Sequence, residues 1–215
     1  MKRCQGLNSK CFLISYLIIV AILLYYWYYE LMHQRATDAV PVVLHNYIHW
    51  PAKGLNRDII TGNTALSDLL TQQNWRLIYL SHAQCLPDCY QWLVRLKTFD
   101  SAFSSYDLTT AVININHSDP GGRHLQQVLL NYQVNNTVYS VKTNKEAESL
   151  AHWLTALFLR TERRGDDALI EQKHQFFLVD PKNRLYAVFE ENTSYAELQS
   201  AFIALRSFYA KSGGR

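Results

Sequence analysis

The strongest pattern in the chain stands at its start. From Phe12 to Tyr29, FLISYLIIVAILLYYWYY, no residue is charged and no polar face interrupts the run. That much apolar sequence crosses the hydrocarbon core of a bilayer as a helix. It closes in a cluster of Tyr and Trp, which favour the lipid–water boundary, and it lacks the small-residue cleavage site of a signal peptide. Residues Leu31 to about Arg57 contain Pro41, Pro51 and Gly54 and little sustained periodicity. They read as a linker, with a short strand near Val42 to Leu44.

Beyond the linker, short apolar runs alternate with helical spacing. WRLIYL (Trp75 to Leu80) predicts a strand. From Pro87 onward Trp92, Leu96, Phe99 and Phe103 fall on one helical face. LTTAVINI (Leu108 to Ile115) is β-branched and strand-like, DPGG (Asp119 to Gly122) is a turn, RHLQQVLLNY predicts a helix and TVYSV a strand. NKEAESLAHWLTALFLR predicts a helix over 144–160, with Asn144 as N-cap and Leu150, Trp153, Leu154 and Leu157 inward. HQFFLV and RLYAVF predict two strands joined across DPKN. Ser194 and Glu197 have the spacing of a capping box, opening a helix that turns Leu198, Phe202, Leu205 and Phe208 inward.

This order is strand, helix, strand, helix, hairpin, helix, with one strand and one helix inserted. It predicts an α/β domain in which helices flank a central mixed sheet. The expected organisation is a stub at residues 1–11, a transmembrane anchor over 12–31, a linker over 32–57 and a folded domain over 58–211.

Charge adds direction. Lys2, Arg3 and Lys10 precede the apolar run, so the positive-inside rule leaves the first residues in the cytoplasm and sends the rest across. Those three account for the formal charge of +3, leaving 18 basic residues against 18 acidic ones beyond them. A near-neutral domain lacks the basic footprint of a nucleic-acid binder. No Arg-rich presequence precedes the anchor, which fits a bacterial inner membrane better than a mitochondrial one. The expected placement is therefore single-pass, with lipid contact through residues 12–31 and the domain in the periplasm.

Cysteine is the candidate chemistry. Cys4 and Cys11 fall at or inside the cytoplasmic edge, which leaves Cys85 and Cys89, in LSHAQCLPDCYQWL, alone in the exported part. An oxidising compartment permits a disulfide between them. One pair cannot staple a miniprotein, and a domain of this length has an ordinary hydrophobic core. With a helix starting near Pro87, Cys89 sits in its first turn and Cys85 just outside. The partial positive charge there favours thiolates. Two thiolates this close chelate a soft ion such as Cu(I), with an imidazole as third donor, and equally they close into a disulfide. Spacing alone leaves metal clip, redox pair and structural disulfide open.

Other residues carry less. His82, three positions before Cys85, is an alternative ligand or a hydrated loop histidine, and His117 beside Asp119 is first a turn residue. Asp88 supports the helix N-terminus by its charge. His45 and His49 carry no spacing argument. No serine has an acid–base partner pattern and no Gly-rich phosphate loop is present, so hydrolase and nucleotide readings have no residues behind them.

Four stretches taken together resemble the Sco/SenC family of membrane-anchored copper proteins of cytochrome c oxidase assembly. They are ALSDLL (Ala65 to Leu70), LIYLSHAQCLPDC (Leu77 to Cys89), ININHSDP (Ile113 to Pro120) and HQFFLVDPKNRLYAVF (His174 to Phe189), in the family's order over residues about 61 to 210. The resemblance implies a thioredoxin-like domain behind the anchor. It also implies Cys85 and Cys89 as copper-binding or redox-active residues, with a late histidine as third ligand.

The chain departs from the family at several points. The proline expected directly after the first cysteine is Leu86, with Pro87 one place later, and none follows Cys89. The family histidine, eight residues before the aspartate of the hairpin turn, is Gln172 here. His174 lies two residues further, on the same face of a continuing strand, and is the expected ligand, with His82 as the alternative. The cis-proline that thioredoxin-type oxidoreductases carry ahead of this strand is missing, which weighs against general disulfide exchange.

The expected function is that of a Sco-like copper chaperone or thiol reductant that assists assembly of a copper-containing respiratory oxidase. Its partners would be an oxidase subunit or assembly factors, and it would not be a turnover enzyme. The alternative is a degenerate thioredoxin-like scaffold that binds an oxidase or its assembly factors without metal, with the cysteines as a structural disulfide. A thiol–disulfide oxidoreductase is a third reading.

Overall fold

The apolar run at the N-terminus lies within one long helix, α1 (Gln5–Asp38), of 34 residues. Its stretch Leu13–Glu30 is long and apolar enough to cross a membrane. Large apolar side chains there, from Leu13 to Tyr29, are exposed around the whole circumference, as suits a helix solvated by lipid. The computed structural model describes residues 5–38, 40–55, 64–156, 158–161 and 169–212. It divides into two compact units, Met1–His45 and Asn46–Arg215. In the first unit Val42–Leu44 forms a 3-10 turn instead of the expected strand, closed by the Leu44 amide on the Pro41 carbonyl at 2.8 Å.

The second unit is built on a six-stranded mixed sheet. Its strands are β1 (Ile48–Gly54), β2 (Trp75–Ser81), β3 (Leu108–Asn114), β4 (Val138–Ser140), β7 (Phe176–Val179) and β8 (Arg184–Phe189). A separate two-stranded sheet pairs β5 (Phe158–Thr161) with β6 (Leu169–Gln172). The main sheet runs β1-β8-β7-β2-β3-β4, with β2, β3 and β4 parallel and the other neighbours antiparallel. Around it lie α2 (Thr64–Thr71), α3 (Tyr90–Phe103), α4 (Arg123–Asn131), α5 (Asn144–Leu154) and α6 (Tyr195–Lys211).

Each face of the sheet carries its own core. On one, Ile78 and Leu80 of β2 pack with Leu66, Leu69 and Leu70 of α2 and with Leu150 and Trp153 of α5. On the other, Trp75 meets Tyr186 of β8 and Phe202 and Tyr209 of α6 edge-on, while Phe99 and Phe103 of α3 pack on Phe202. All seven residues of β2 are buried.

Burial of β2 includes Arg76, which is fully enclosed. Its guanidinium donates to the carbonyls of Leu69 (3.2 Å) and Leu70 (2.6 Å), the last turn of α2, and to that of Asp180 (2.7 Å) in the β7–β8 turn. Burial lowers its pKa to about 10, opposed by the Asp180 charge, so it stays protonated at neutral pH. The Asp180 carboxylate receives the amides of Lys182 and Arg184 at 2.9 Å and the Arg184 side chain at 2.6 Å. One cation thus ties α2, β2 and the hairpin together.

Several boundaries differ from those expected. β1 lies in the segment read as linker and pairs with β8 from Ile48↔Ala187 to Gly54↔Arg184. Pro51 is tolerated because β1 is an edge strand, where a missing amide donor costs little. α5 is capped by Thr143, whose hydroxyl accepts from the Glu146 amide, and not by Asn144. It stops at Leu154, where Thr155 turns left-handed (φ 56°) and the Ala156 amide returns to Ala151. Phe158–Thr161 then forms β5, although the helical spacing of the sequence runs on through it; antiparallel pairing with β6, the next element of the chain, decides. Leu157 lies outside the described residues.

Other expectations hold. Ser194 and Glu197 form the reciprocal capping box of α6. The DPGG turn leads into α4, whose first amides, His124 and Leu125, both donate to Asp119 at 3.1 Å. Gly122 is required there. Its φ is 65°, and a Cβ would stand 2.7 Å from Ser140 Oγ and Val138 Cγ1 of β4.

Replacing the buried cation is the sharpest test of this frame. Arg76→Met keeps the volume and takes the charged donor away from the carbonyls of Leu69, Leu70 and Asp180. We expect a loss of about 3 kcal/mol of unfolding free energy in urea titrations of the full-length chain in detergent. A loss below about 0.5 kcal/mol would contradict the clasp.

Candidate functional site

The candidate site stands where β2 gives way to α3, at the carboxyl end of the sheet's central strands, the usual place for ligands in open α/β sheets. β2 ends at Ser81, His82 is extended (φ −153°, ψ 161°), and Ala83–Cys85 make one 3-10 turn. The helix starts at Tyr90, three residues later than Pro87 had implied, so Cys89 is its N-cap. Pro87 instead lies in the preceding turn, with a cis Leu86–Pro87 peptide bond. The Cys89 amide donates to the Cys85 carbonyl at 3.0 Å, and the Cys89 carbonyl receives Trp92 and Leu93 of the first helical turn.

Cys85 and Cys89 form a disulfide, with Cα atoms 5.5 Å apart. Both cysteines are buried, Cys85 8% exposed and Cys89 0%, and an incoming thiolate that attacks the less covered Cys85 breaks the disulfide. The leaving electron pair then falls on Cys89, at the positive end of α3, where a thiolate is favoured. A low-pKa leaving thiol speeds such exchange. Beside this pair lies the Ser81 hydroxyl, 3.2 Å from Cys85 Sγ.

His174 follows a different course from the one expected. The strand begins at Phe176, and β6 ends at Gln172, so the two-residue shift along one strand does not apply. Residues 173–175 form the connection between β6 and β7. His174 Nδ1 is 2.7 Å from the Tyr79 hydroxyl, and its ring stacks on Trp92 of α3 (centroids 5.6 Å, 17°) and on Tyr79 (6.1 Å, 22°). It is thereby fixed against the helical turn that follows Cys89.

Both partners of that hydrogen bond are neutral near pH 7. Burial holds the His174 pKa below its ordinary 6.5, against the opposing charges of Glu191 and Asp88. Burial raises the Tyr79 hydroxyl above its ordinary 10.0. Tyr79 therefore donates to Nδ1, and the ring proton sits on Nε2. Nε2 acts as a metal donor only once that proton leaves or moves to Nδ1, with Tyr79 turning to accept.

Gln172, at the family's histidine position, reaches the same corner. β6 packs on the Ala83–Cys85 turn, and Gln172 Nε2 donates to the Leu80 carbonyl at 2.8 Å and faces the Tyr79 hydroxyl at 3.5 Å. His82, the alternative ligand, is buried with Nδ1 3.3 Å from Gln84 Oε1. Asp88 is exposed beside the N-cap. Among the described residues no three His, Cys, Asp or Glu side chains gather into a metal-holding group in this oxidised form. The donor types nevertheless suit a soft ion: reduction of the disulfide frees two thiolates, and His174 supplies an imidazole held against α3.

No protein-family model matches the sequence, and no curated protein matches it. Solved structures do. The copper-bound ScoI of Arabidopsis thaliana superposes with a TM-score of 0.54 at 14% identity, covering 65% of this chain and 88% of that one. Copper-bound yeast Sco1 gives 0.52 at 17% identity, covering 63% and 77%. BsSco, a member of the Sco family of cytochrome c oxidase assembly proteins in which a disulfide switch is identified, gives 0.50 at 17%, covering 64% and 83%. The chain has the thioredoxin-like fold of the Sco proteins. At these identities the likeness is one of fold.

Three site residues were not singled out from sequence: Ser81, Tyr79 and Trp92. The signal for two of them was available. Tyr79 and Ser81 alternate on one face of β2, in the strand that feeds the cysteine turn.

Since His174 binds its proton less readily folded than unfolded, the unfolded chain holds more protons between the lowered pKa and 6.5. Stability from this residue is full above that window and falls as pH drops through it. His174→Phe keeps a stacking ring and removes the titration. We expect the wild type to lose stability relative to this variant as pH is lowered from 7.5 to 5 in urea titrations. Parallel curves would contradict the assignment.

Proposed function

We propose that this chain is a divergent Sco-like protein that uses the Cys85–Cys89 pair as a copper-binding dithiol or thiol reductant in assembling a copper-containing respiratory oxidase. The observation that carries the reading is the position of the pair: a disulfide at the β2–α3 junction of a Sco-type fold, with an imidazole stacked on the helical turn after Cys89. Copper would be cargo. The reduced sulfurs would hold it as thiolates, with His174 as third donor, and a soft two-sulfur, one-nitrogen set favours Cu(I).

The membrane placement belongs to the same proposal. The helix of Leu13–Glu30 would anchor the chain in a bacterial inner membrane, N-terminus inside, with residues 46–215 in the periplasm facing an oxidase subunit or its assembly factors. The segment Asn46–Gly54 would be part of that domain, since β1 belongs to its sheet.

A second reading, a metal-free scaffold with a structural disulfide, is favoured by the near-complete burial of both sulfurs and by Gln172 at the family's histidine position. General thiol–disulfide exchange stays third, because the connection at 173–175 has no proline facing the pair.

Cu(I) titration separates these readings. The full-length chain is reduced anaerobically in detergent on a Cys4→Ser/Cys11→Ser background, so that the pair holds its only thiols. We expect one Cu(I) to bind tightly, to be lost in Cys85→Ser/Cys89→Ser, and to bind at least tenfold more weakly in His174→Ala. No binding by the reduced, folded chain would leave the scaffold reading.

A further inference from the structure

Ser81 has a placement that its strand does not need. It is fully buried at the end of β2, its backbone is fixed opposite Asn114 of β3, and its carbonyl already receives the Ile115 amide at 3.0 Å. Its side chain turns to Cys85 Sγ, at 3.2 Å. Neither sulfur of a disulfide carries a hydrogen, so the serine hydroxyl is the donor. Its acceptor belongs to Cys85, the less covered of the two buried cysteines.

We propose that Ser81 is a positioning residue of the redox pair, whose hydroxyl holds Cys85 Sγ and favours the reduced pair over the disulfide. The inference rests on the reading that the pair cycles between disulfide and dithiol. In the first step the thiolate of a small thiol attacks Cys85 Sγ. The Cys85–Cys89 bond breaks and its electron pair leaves on Cys89 Sγ. A second small-thiol thiolate then attacks the small-thiol sulfur of the mixed disulfide. That bond breaks, its electron pair leaves on Cys85 Sγ, and the small thiol departs as its own disulfide. Two small thiols are oxidised, and their two protons pass to the cysteines or to solvent as pH dictates.

Ser81 acts on the last charge formed. A disulfide sulfur is a weak acceptor, whereas a buried thiolate is a strong one and hydrogen bonds to charged acceptors are the stronger kind. The hydroxyl therefore favours the reduced pair over the oxidised one.

The test uses the full-length chain in detergent, equilibrated with glutathione buffers, or with dithiothreitol where glutathione leaves the pair oxidised. Differential alkylation is read by mass spectrometry on the tryptic peptide Leu77–Arg95, which contains Cys85 and Cys89 and neither Cys4 nor Cys11. In Ser81→Ala the reduction equilibrium constant should fall about tenfold, close to 30 mV for a two-electron couple. Ser81→Thr should restore it. If Ser81→Ala does not fold, the isosteric variants Ser81→Thr and Ser81→Val give the same comparison. An unchanged midpoint without the hydroxyl would overturn the proposal. A wild-type potential below about −300 mV would instead remove the cycling pair while leaving the Ser81 difference measurable.

Discussion

Complete burial of β2 is the constraint from which the rest follows. A strand covered on both faces can keep a polar side chain only if that side chain finds a partner inside the protein. β2 keeps three. Arg76 satisfies itself on the carbonyls of α2 and the β7–β8 turn, Tyr79 on His174, and Ser81 on Cys85. The first is a framework contact and fixes where α2 and the hairpin lie. The other two, further along the strand, reach the place where the chain turns into α3. The same requirement that stabilises the sheet therefore delivers a hydroxyl to two of the three candidate donors, one to the imidazole and one to the Cys85 sulfur.

This arrangement explains why the chemistry gathers at the carboxyl end of β2. The strand is held by β3 on one side and β7 on the other, so its last residue is fixed in register. The 3-10 turn and the N-cap of α3 then set the two buried cysteines on either side of three residues, one closing the turn and one capping the helix. His174 arrives from the opposite direction, from the connection into β7, and stacks on Trp92. Two chain segments nearly ninety residues apart in sequence thus meet at the first turn of α3. The Sco-like reading needs that meeting, and the scaffold reading needs only the disulfide.

Much of this was legible in the sequence where a pattern is local. The apolar run of α1, the strand WRLIYL, the Asp119 turn, the β7–β8 hairpin and the capping box of α6 are each written in a few adjacent residues, and each stands as expected. The failures share a physical cause. β1 is a strand only because β8 is there to pair with it. β5 abandons the helical spacing of LFLR only because β6 lies alongside. The site divides in the same way. The cysteine pair could be read from its spacing. The placement of His174 depended on where β6 ends, and the role open to Ser81 depended on a turn that folds Cys85 back onto it.

The central claim is that Cys85, Cys89 and His174 form one donor set when the pair is reduced. X-ray absorption at the copper edge tests it most directly, on the Cu(I)-loaded full-length chain with Cys4 and Cys11 replaced by serine. The account predicts two sulfur neighbours and one nitrogen neighbour, with the nitrogen lost in His174→Ala. A copper site without sulfur neighbours, or one that keeps its nitrogen in His174→Ala, would contradict it.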